Sequence, residues 1–529
     1  MRTFYSYGPV DKERHFCVSR QSLVESCLRH IIDDPNKGGH YFTIWAPRQT
    51  GKTWIMRQVK KEIAARYSDK FIVGTMSMQT TVLDDEDKPS DILEWIPLLI
   101  DDTFKIKIEP LKGWKDWLTL FKKTTGIFNK PVVLFIDEFD KLPPTVIDKL
   151  VNLFRGMYLD RDSYLLHGLA LIGVRAVLGV ESGRGSPFNI QRSMHIPNFT
   201  KEDVSELFQQ YIEESGQVVE PMVIDKVYDV TKGQPGLVSW FGELLTEKYN
   251  EDKGNPIDCK LWELIYNNAL TVEWNNTMLN LIKKVKKEYQ EYVVNLFAKS
   301  DIVFSMDKDW CNYLYMNGVI DNEVIIDSKG KMVTVCRFAS PFVQERLYNA
   351  LSDTLVGDSL PIPALDLLDA LEDVFEAKQL NLPALLQRYK DYLTRLKAKG
   401  LNPWKEQPRR ADLNYTEAVG HFHLYAWLQA AIGRVCIISP EFPTGNGKVD
   451  IHIKCGDMEG IIEVKSFTNI TELMDNRKQA AKYADSLGKD LVTVALFVPS
   501  QDEKVHEQLA GEQLIGQVKV SIVPIGWTI

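Results

Sequence analysis

Two sets of side chains in this 529-residue sequence have the types and spacing to do chemistry on phosphates. The first begins with Ala46-Pro47-Arg48-Gln49-Thr50-Gly51-Lys52-Thr53. Successive backbone N–H groups and the positive end of a following helix can surround a polyphosphate there. Lys52 would neutralise its outer charge, and the Thr53 hydroxyl would ligate magnesium. Gly51 lets the backbone come close to the phosphates, whereas Ala46 stands where the pattern has its first glycine and restricts the backbone. Downstream, Pro131-Val132-Val133-Leu134-Phe135-Ile136-Asp137-Glu138 is an apolar run ending in two carboxylates. Asp137 would hold the magnesium directly or through water, and Glu138 would polarise the attacking water. Taken singly, these stretches are a Lys-Thr helix start and a solvated acidic strand end; taken together, they predict a magnesium-ATP site.

The second set lies near the other end of the sequence. Lys448-Val449-Asp450-Ile451-His452-Ile453 follows the turn at 444–447, and Gly460-Ile461-Ile462-Glu463-Val464-Lys465-Ser466 follows in turn. Side chains alternate along a strand, so Glu463 and Lys465 share a face, and a hairpin would bring Asp450 beside them. Hard divalent ions want oxygen ligands, which makes Asp450, Glu463 and the Val464 carbonyl an open magnesium or manganese site. Lys465 would orient or help deprotonate a water for attack on a phosphodiester. The alternative is a Glu-x-Lys pair that salt-bridges on an inert sheet. Upstream, Glu417 begins a helical pattern and either adds a carboxylate or closes a capping box with Asn414. Gln479 and Tyr483 lie four apart on one helix face further on.

The elements that must position these groups can be read from the patterning. Tyr41–Trp45 is a strand entering the phosphate loop, and Trp54, Ile55, Val59 and Ile63 have helical spacing after it. Strands are also expected at Phe71–Met76, Val132–Asp137, Gly168–Gly173 and Ser193–Ile196. Right-handed crossovers would join them into a parallel sheet with helices on both faces, so that the nucleotide sits at the carboxyl ends of the strands.

Length and composition bound the reading. A chain of this length needs roughly two to four domains, and 44% hydrophobic with 26% charged residues is ordinary for a globular protein. No segment is long and apolar enough to span a bilayer, and the start, Met1 to Gly8, has no signal-peptide core, which points to the cytoplasm. Seven cysteines without a C-x-x-C pair argue against a disulfide framework and a zinc site, and are expected to be reduced, mostly buried thiols. A net charge of −9 excludes a general polyanion binder, so nucleic-acid contact would need local basic patches. Lys283, Lys284, Lys286 and Lys287 form one candidate. Arg388, Lys390, Arg395, Lys397, Lys399, Lys405, Arg409 and Arg410, interleaved with Tyr389, Tyr392 and Trp404, form a second. Each is either a binding surface or a solvated helix face.

Together, Ala-Pro-Arg-Gln-Thr-Gly-Lys-Thr at 46–53, Ile-Asp-Glu-Phe-Asp at 136–140, Ser-Pro-Phe-Asn-Ile-Gln-Arg at 186–192 and Gly-Gln-Pro at 233–235 resemble the AAA-like ATPases of the STAND group. The resemblance implies an ASCE-type P-loop core over 1–200 and a helical lid over 201–255, with Gly233 and Pro235 near the nucleotide. Arg192 falls on an arginine that reaches a γ-phosphate in the same or a neighbouring subunit of a homo-oligomer, or it is a surface arginine. From about 256 to 352, a helical stretch and a hairpin at 323–336 look like a winged helix that serves either DNA binding or internal packing. A linker at 353–374 follows.

Residues 375–529 resemble the PD-(D/E)XK nuclease superfamily, in which a helix Glu, a strand Asp, Glu-x-Lys and a Gln-x-x-x-Tyr helix recur in that order. The resemblance implies Glu417, Asp450, Glu463 and Lys465 as active-site residues, with Gln479 and Tyr483 near the substrate backbone. Val449 replaces the proline of the motif's name. The expected whole is a multidomain α/β, ATP-regulated, metal-dependent nuclease acting on nucleic acid, DNA foremost, in a defence or mobile-element setting. Its alternative is an ATP-dependent switch that binds DNA or a protein trigger through a non-cleaving nuclease fold.

Overall fold

The strand β1 (Tyr41–Trp45) is buried at every position because it has neighbours on both sides and helices on both faces. In the computed structural model it belongs to a parallel sheet with β2 (Ile72–Ser77), β3 (Val132–Asp137), β4 (Leu166–Gly173) and β5 (Ser193–His195), ordered β2-β3-β4-β1-β5. The strand that feeds the phosphate loop is thus separated from the strand ending in Asp137 by β4 alone. Parallel neighbours need long crossovers, which the helices Lys52–Tyr67, Ile92–Phe104 and Pro144–Leu159 supply.

Alternation along β3 divides the core. Val132, Leu134 and Ile136 pack with Ile96, Ile100, Leu150 and Phe154 on one face, whereas Val133 and Phe135 pack with Ile55, Val59, Ile63 and Ile31 on the other. Each such side chain contributes roughly 1.5–3 kcal/mol on burial, which is why the run is continuous and apolar up to the carboxylates. Helices Lys201–Ser215, Pro221–Thr231 and Pro235–Glu243 follow the sheet, the first opened by a capping box between Thr200 and Asp203.

The structure describes the chain apart from residues 84–85, 174–192, 299–301, 327–330, 357–359, 367–368, 377–378, 405–416, 445–446, 457, 468, 487 and 527–529, and a few further side chains. Arg192, the capping-box residues 414–416, and Lys405, Arg409 and Arg410 therefore lie outside the described residues. Two compact units emerge, one built from 1–277, 305–321 and 338–342, the other from 278–304, 322–337 and 343–529. The strands β6 (Ile320–Ile326) and β7 (Met332–Phe338) form the expected hairpin. A small pair, β8 (Phe375–Glu376) and β9 (Gln379–Leu380), precedes the second large sheet.

That sheet is mixed. Its strands β10 (Ile437–Thr444), β11 (Gly447–Cys455), β12 (Met458–Ser466), β13 (Leu491–Val498), β14 (Gly511–Ile515) and β15 (Val518–Gly526) run in the order β10-β11-β12-β13-β15-β14. β10, β11 and β12 are antiparallel, and β12, β13 and β15 are parallel. The crossover helix Ile470–Ser486 covers one face through Leu473, Ala480, Ala481 and Ala484. Helices Leu382–Ala398 and Glu417–Ile432 meet the other at Phe497, which packs against Tyr389, Trp404 and Gly420. Among the described residues no helix is long and apolar enough to cross a membrane.

Two expectations are corrected here. Cys436 and Cys455 form a disulfide, Cα to Cα 4.3 Å, rather than being free thiols. They flank the pair Ile437↔Lys454, and antiparallel pairing brings opposite Cα atoms within about 4.5–5.5 Å, a proximity invisible in a 19-residue separation. Among the other cysteines, Cys27, Cys311 and Cys336 are buried thiols. The aromatic residues of the second basic stretch are also not a surface: Tyr389, Tyr392 and Trp404 are buried, and Arg388 and Arg395 pair with Asp373 and Asp369.

His423 sits within this aromatic core, its Nδ1 2.5 Å from the Tyr389 hydroxyl and its ring 4.7 Å from Trp404. Burial pushes its pKa down to about 3, so the folded chain stays neutral there while an unfolded chain takes up a proton near pH 6.5. Stability is therefore unaffected above that pH and falls as pH drops from about 6.5 toward 3, by about 1.4 kcal/mol per unit at the limit. In urea unfolding between pH 7 and 5, wild-type protein should lose stability more steeply than His423→Gln. Equal slopes would contradict this account.

Candidate functional site

The turn after β1 places the first set. Gly51 and Gln49 both take left-handed backbone conformations, φ 92° and 58°. Glycine does so freely, but Gln49 must be held. Its carbonyl accepts from the Gly236 N–H at 3.0 Å, and its Nε2 donates to the Ser6 carbonyl at 3.0 Å. Gln234 Nε2 donates to the Arg48 carbonyl at 2.9 Å, so the helix that starts at Pro235 fixes the loop from outside the sheet. Gly233 has φ 68°, and a Cβ there would lie 1.9 Å from the Phe199 carbonyl oxygen. Arg20, buried, donates to the Thr50 carbonyl at 3.2 Å and to the Pro197 carbonyl, linking the loop to the end of β5. Ala46 is packed in the core with Trp54 and Ile55, which accounts for a methyl where glycine is usual.

Within the loop, Lys52 Nζ donates to the Ala46 and Pro47 carbonyls, each at 2.7 Å. Thr53 Oγ1 lies 3.1 Å from Asp137 Oδ2, and Asp137 Oδ1 accepts from the Glu138 N–H at 2.9 Å. Glu138, at φ 53°, is ion-paired with Lys141. The oxygen atoms of Thr53 and Asp137 at the carboxyl end of β3 fit a hard divalent cation, and these two residues would hold magnesium. Burial pushes Lys52 down to about 8, with Asp140 and then Asp137 opposing the shift. Burial likewise raises Asp137, against the bonds from Glu138 and Thr53. Both groups are thus short of compensating charge, which a polyphosphate and a cation would supply.

The second set meets where two strands part. Pairing of β11 with β12 ends at Ile451↔Ile462, and Asp450 comes one residue beyond. Asp450 Oδ2 accepts from the Val464 N–H at 2.7 Å and from Lys465 Nζ at 3.2 Å, and Lys465 Nζ lies 3.6 Å from Glu463 Oε2. Because the N–H and C=O of one strand residue point the same way, the Val464 carbonyl also faces the β11 side. Glu463 is only 1% exposed. The carboxylates and this carbonyl are an all-oxygen donor set that fits magnesium or manganese, although no cluster of three His, Cys, Asp or Glu residues is found among the described residues. The imidazole of His421 adds a bond from Nε2 to the Asp450 carbonyl at 2.9 Å.

Residues 5–294 match the model of the AAA-like domain family. The chain belongs to this family. Among solved structures, the Walker-type ATPase of Pyrococcus abyssi is similar at 16% identity, covering 65% of this chain and 99% of its own, with a TM-score of 0.43. Aeropyrum pernix Orc1 in complex with DNA is similar at 14% identity over 63% and 92%, TM-score 0.32. The Thermotoga maritima RuvB Holliday junction branch migration motor is similar at 15% over 59% and 91%, TM-score 0.32. No curated protein matches.

The AAA-like domain is of the P-loop ATPase kind; within it Thr53 and Asp137 meet at 3.1 Å, Lys52 is held by the loop carbonyls, the Gly233 carbonyl accepts from the Phe199 N–H, and Pro235 opens the helix that Gln234 caps. Arg192 and the side chains of Glu417 and Tyr483 lie outside the described residues; the Glu417 backbone begins the helix that holds His421, and Gln479 is exposed on the helix Ile470–Ser486. Sequence reasoning missed Arg20, Gln234, Asp140 and His421. Gln234 and Asp140 had a signal, since they stand inside the Gly-Gln-Pro and Ile-Asp-Glu-Phe-Asp stretches at 233–235 and 136–140, whereas nothing distinguishes Arg20 and His421 from other polar residues.

Polyphosphate binding to Lys52 requires its ammonium form, so nucleotide affinity should fall as pH rises through about 8. Calorimetry of ATP binding in buffers of different ionisation enthalpy should show close to one proton taken up per nucleotide at pH 9 and markedly less at pH 7. Uptake that does not change between these pH values would refute the assignment.

Proposed function

We propose that the chain is an ATP-hydrolysing protein of STAND type whose nucleotide cycle controls divalent-metal-dependent cleavage of nucleic acid, DNA foremost, in the cytoplasm. The observation that carries the reading is the junction of β11 and β12, where Asp450, Glu463 and Lys465 meet within 3.6 Å of one another's charged atoms through Lys465. A PD-(D/E)XK nuclease domain over 375–529 accounts for this constellation, with Glu417 as a further carboxylate and Gln479 and Tyr483 on the substrate side. A P-loop core over 1–200, a lid over 201–255, a winged-helix region over 256–352 and a linker over 353–374 complete the proposed organisation. Arg192 acts as an arginine finger, in the same chain or across a homo-oligomer.

At the first site Lys52 and the loop N–H groups bind and orient the phosphates, Thr53 and Asp137 hold magnesium, and Glu138 accepts the proton of the attacking water once freed from Lys141. At the second site Asp450, Glu463 and the Val464 carbonyl hold the metal, and Lys465 orients the water. A bound metal there supplies Lewis acidity to the phosphodiester and to the nucleophile. A second reading, a DNA- or protein-responsive switch whose nuclease fold no longer cuts, is favoured by the net charge of −9.

Lys52→Ala should abolish ATP binding or turnover. Glu138→Gln should bind ATP and hydrolyse it about 10²–10⁴-fold more slowly, the range for losing a general base. Normal hydrolysis in both would refute the ATPase assignment of these residues.

Cleavage of single- and double-stranded DNA and RNA, with magnesium or manganese and with or without ATP, tests the nuclease. Asp450→Ala and Lys465→Ala should each abolish scission while ATP hydrolysis survives, and Lys52→Ala should alter scission if the ATPase gates it. Wild-type protein that binds nucleic acid but cuts none of these forms would favour the switch.

A further inference from the structure

We infer that His421 and Tyr348 are positioning residues for Asp450, a role that rests on the metal-site reading of the β11–β12 junction. Asp450 is held at both ends. Its carboxylate accepts from Val464 and Lys465, and its carbonyl accepts from His421 Nε2 at 2.9 Å. The second bond matters because pairing of β11 with β12 has already ended at Ile451↔Ile462, and pairing with β10 steps from Pro440↔Ile451 to Phe442↔Val449. Fixing the Asp450 peptide plane at this point is what aims its side chain into the junction.

The imidazole cannot turn away. A carbonyl can only accept, so Nε2 carries the proton that it donates to Asp450. In the neutral ring Nδ1 is then the acceptor, and the Tyr348 hydroxyl, 2.5 Å away, donates to it. Tyr348 is fully buried, stacked on Phe422 at 4.5 Å and edge-on to Tyr425 at 4.5 Å and Phe297 at 5.0 Å. Tyr425 Oη donates to Asn349 Oδ1 at 2.8 Å, a second tie between the helices that carry Tyr348 and His421. His421 is also one helical turn after Glu417, the first residue of its helix. The chain Tyr348–His421–Asp450 is therefore a relay of orientation, of the kind that hydrogen-bonded partners supply behind metal-holding carboxylates.

The test is magnesium dependence. His421→Leu should raise the half-saturating magnesium concentration for cleavage, or lower kcat, by about 10–100-fold, with KM for nucleic acid unchanged. His421→Gln, whose amide can still donate to the Asp450 carbonyl, should recover most of the loss. Tyr348→Phe keeps the aromatic packing and removes only the hydroxyl, so it should show a smaller shift in the same direction; it decides the matter if His421→Leu does not fold. A folded His421→Leu or Tyr348→Phe protein with wild-type magnesium dependence would overturn the proposal. Should wild-type protein cut nothing, the nuclease reading fails, and manganese titration by calorimetry without nucleotide reads the inference separately. Binding that Asp450→Asn removes and His421→Leu weakens about 10–100-fold supports it; binding indifferent to His421, or absent, overturns it.

Discussion

A desolvated lysine is the constraint on which the first unit depends. Lys52 must stay buried enough for its charge to act strongly on a phosphate, yet burial disfavours that charge and brings its pKa down to about 8. The two loop carbonyls at 2.7 Å and the carboxylates of Asp140 and Asp137 offset the penalty in part. Much of the neighbouring architecture serves to keep those carbonyls in place. The strained turn at Gln49 is fixed by Gly236 and Ser6, Arg20 holds Thr50, and Gln234 holds Arg48. The sheet contributes by setting β3 one strand removed from β1, so that Asp137 reaches Thr53.

The second unit solves a different problem with similar means. A regular ladder satisfies its own backbone, which leaves no reason for a carboxylate to be held rigidly between strands. Where β11 and β12 separate, Val464 has an N–H directed out of the ladder, and Asp450 accepts it through a side chain. The same residue offers its carbonyl to His421. One aspartate thus replaces a ladder rung, and the separation of the strands opens space for Glu463 and Lys465 to approach it.

What was legible in the sequence depended on range. The strand at Val132–Ile136 announces itself because both of its faces are buried, and the loop at 46–53 because its chemistry is local. Asp450, Glu463 and Lys465 could be grouped since a hairpin relates them by simple alternation. Arg20 and Gln234 could not: their partners are carbonyls 30 and 186 residues away, and a carbonyl carries no residue identity. The disulfide between Cys436 and Cys455 was hidden for the same reason, since it depends on strand register rather than motif. The Tyr389–Trp404 stretch misleads in the opposite direction. Its arginines look solvent-facing by composition, but Arg388 and Arg395 satisfy carboxylates and backbone while the rings between them fill the core around His423 and Phe497.

The energetic standing of the Asp450 site bears on what it is for. Removing a carboxylate such as Glu463, 1% exposed, from water carries a penalty of several kcal/mol. An ion pair with Lys465 at 3.6 Å returns part of it. On the adjoining stretch of the same strands, Ile451, Ile453, Ile461 and Ile462 are buried without such cost. Continuing that apolar pattern through positions 463 and 465 would leave an inert sheet as stable or more so, because well-packed hydrophobic residues commonly equal or exceed a buried ion pair. An arrangement that gives up apolar burial at one point of a sheet, and takes hydrogen bonds from one helix and a neighbouring strand to hold one aspartate there, is the physical ground on which the metal-site proposal rests.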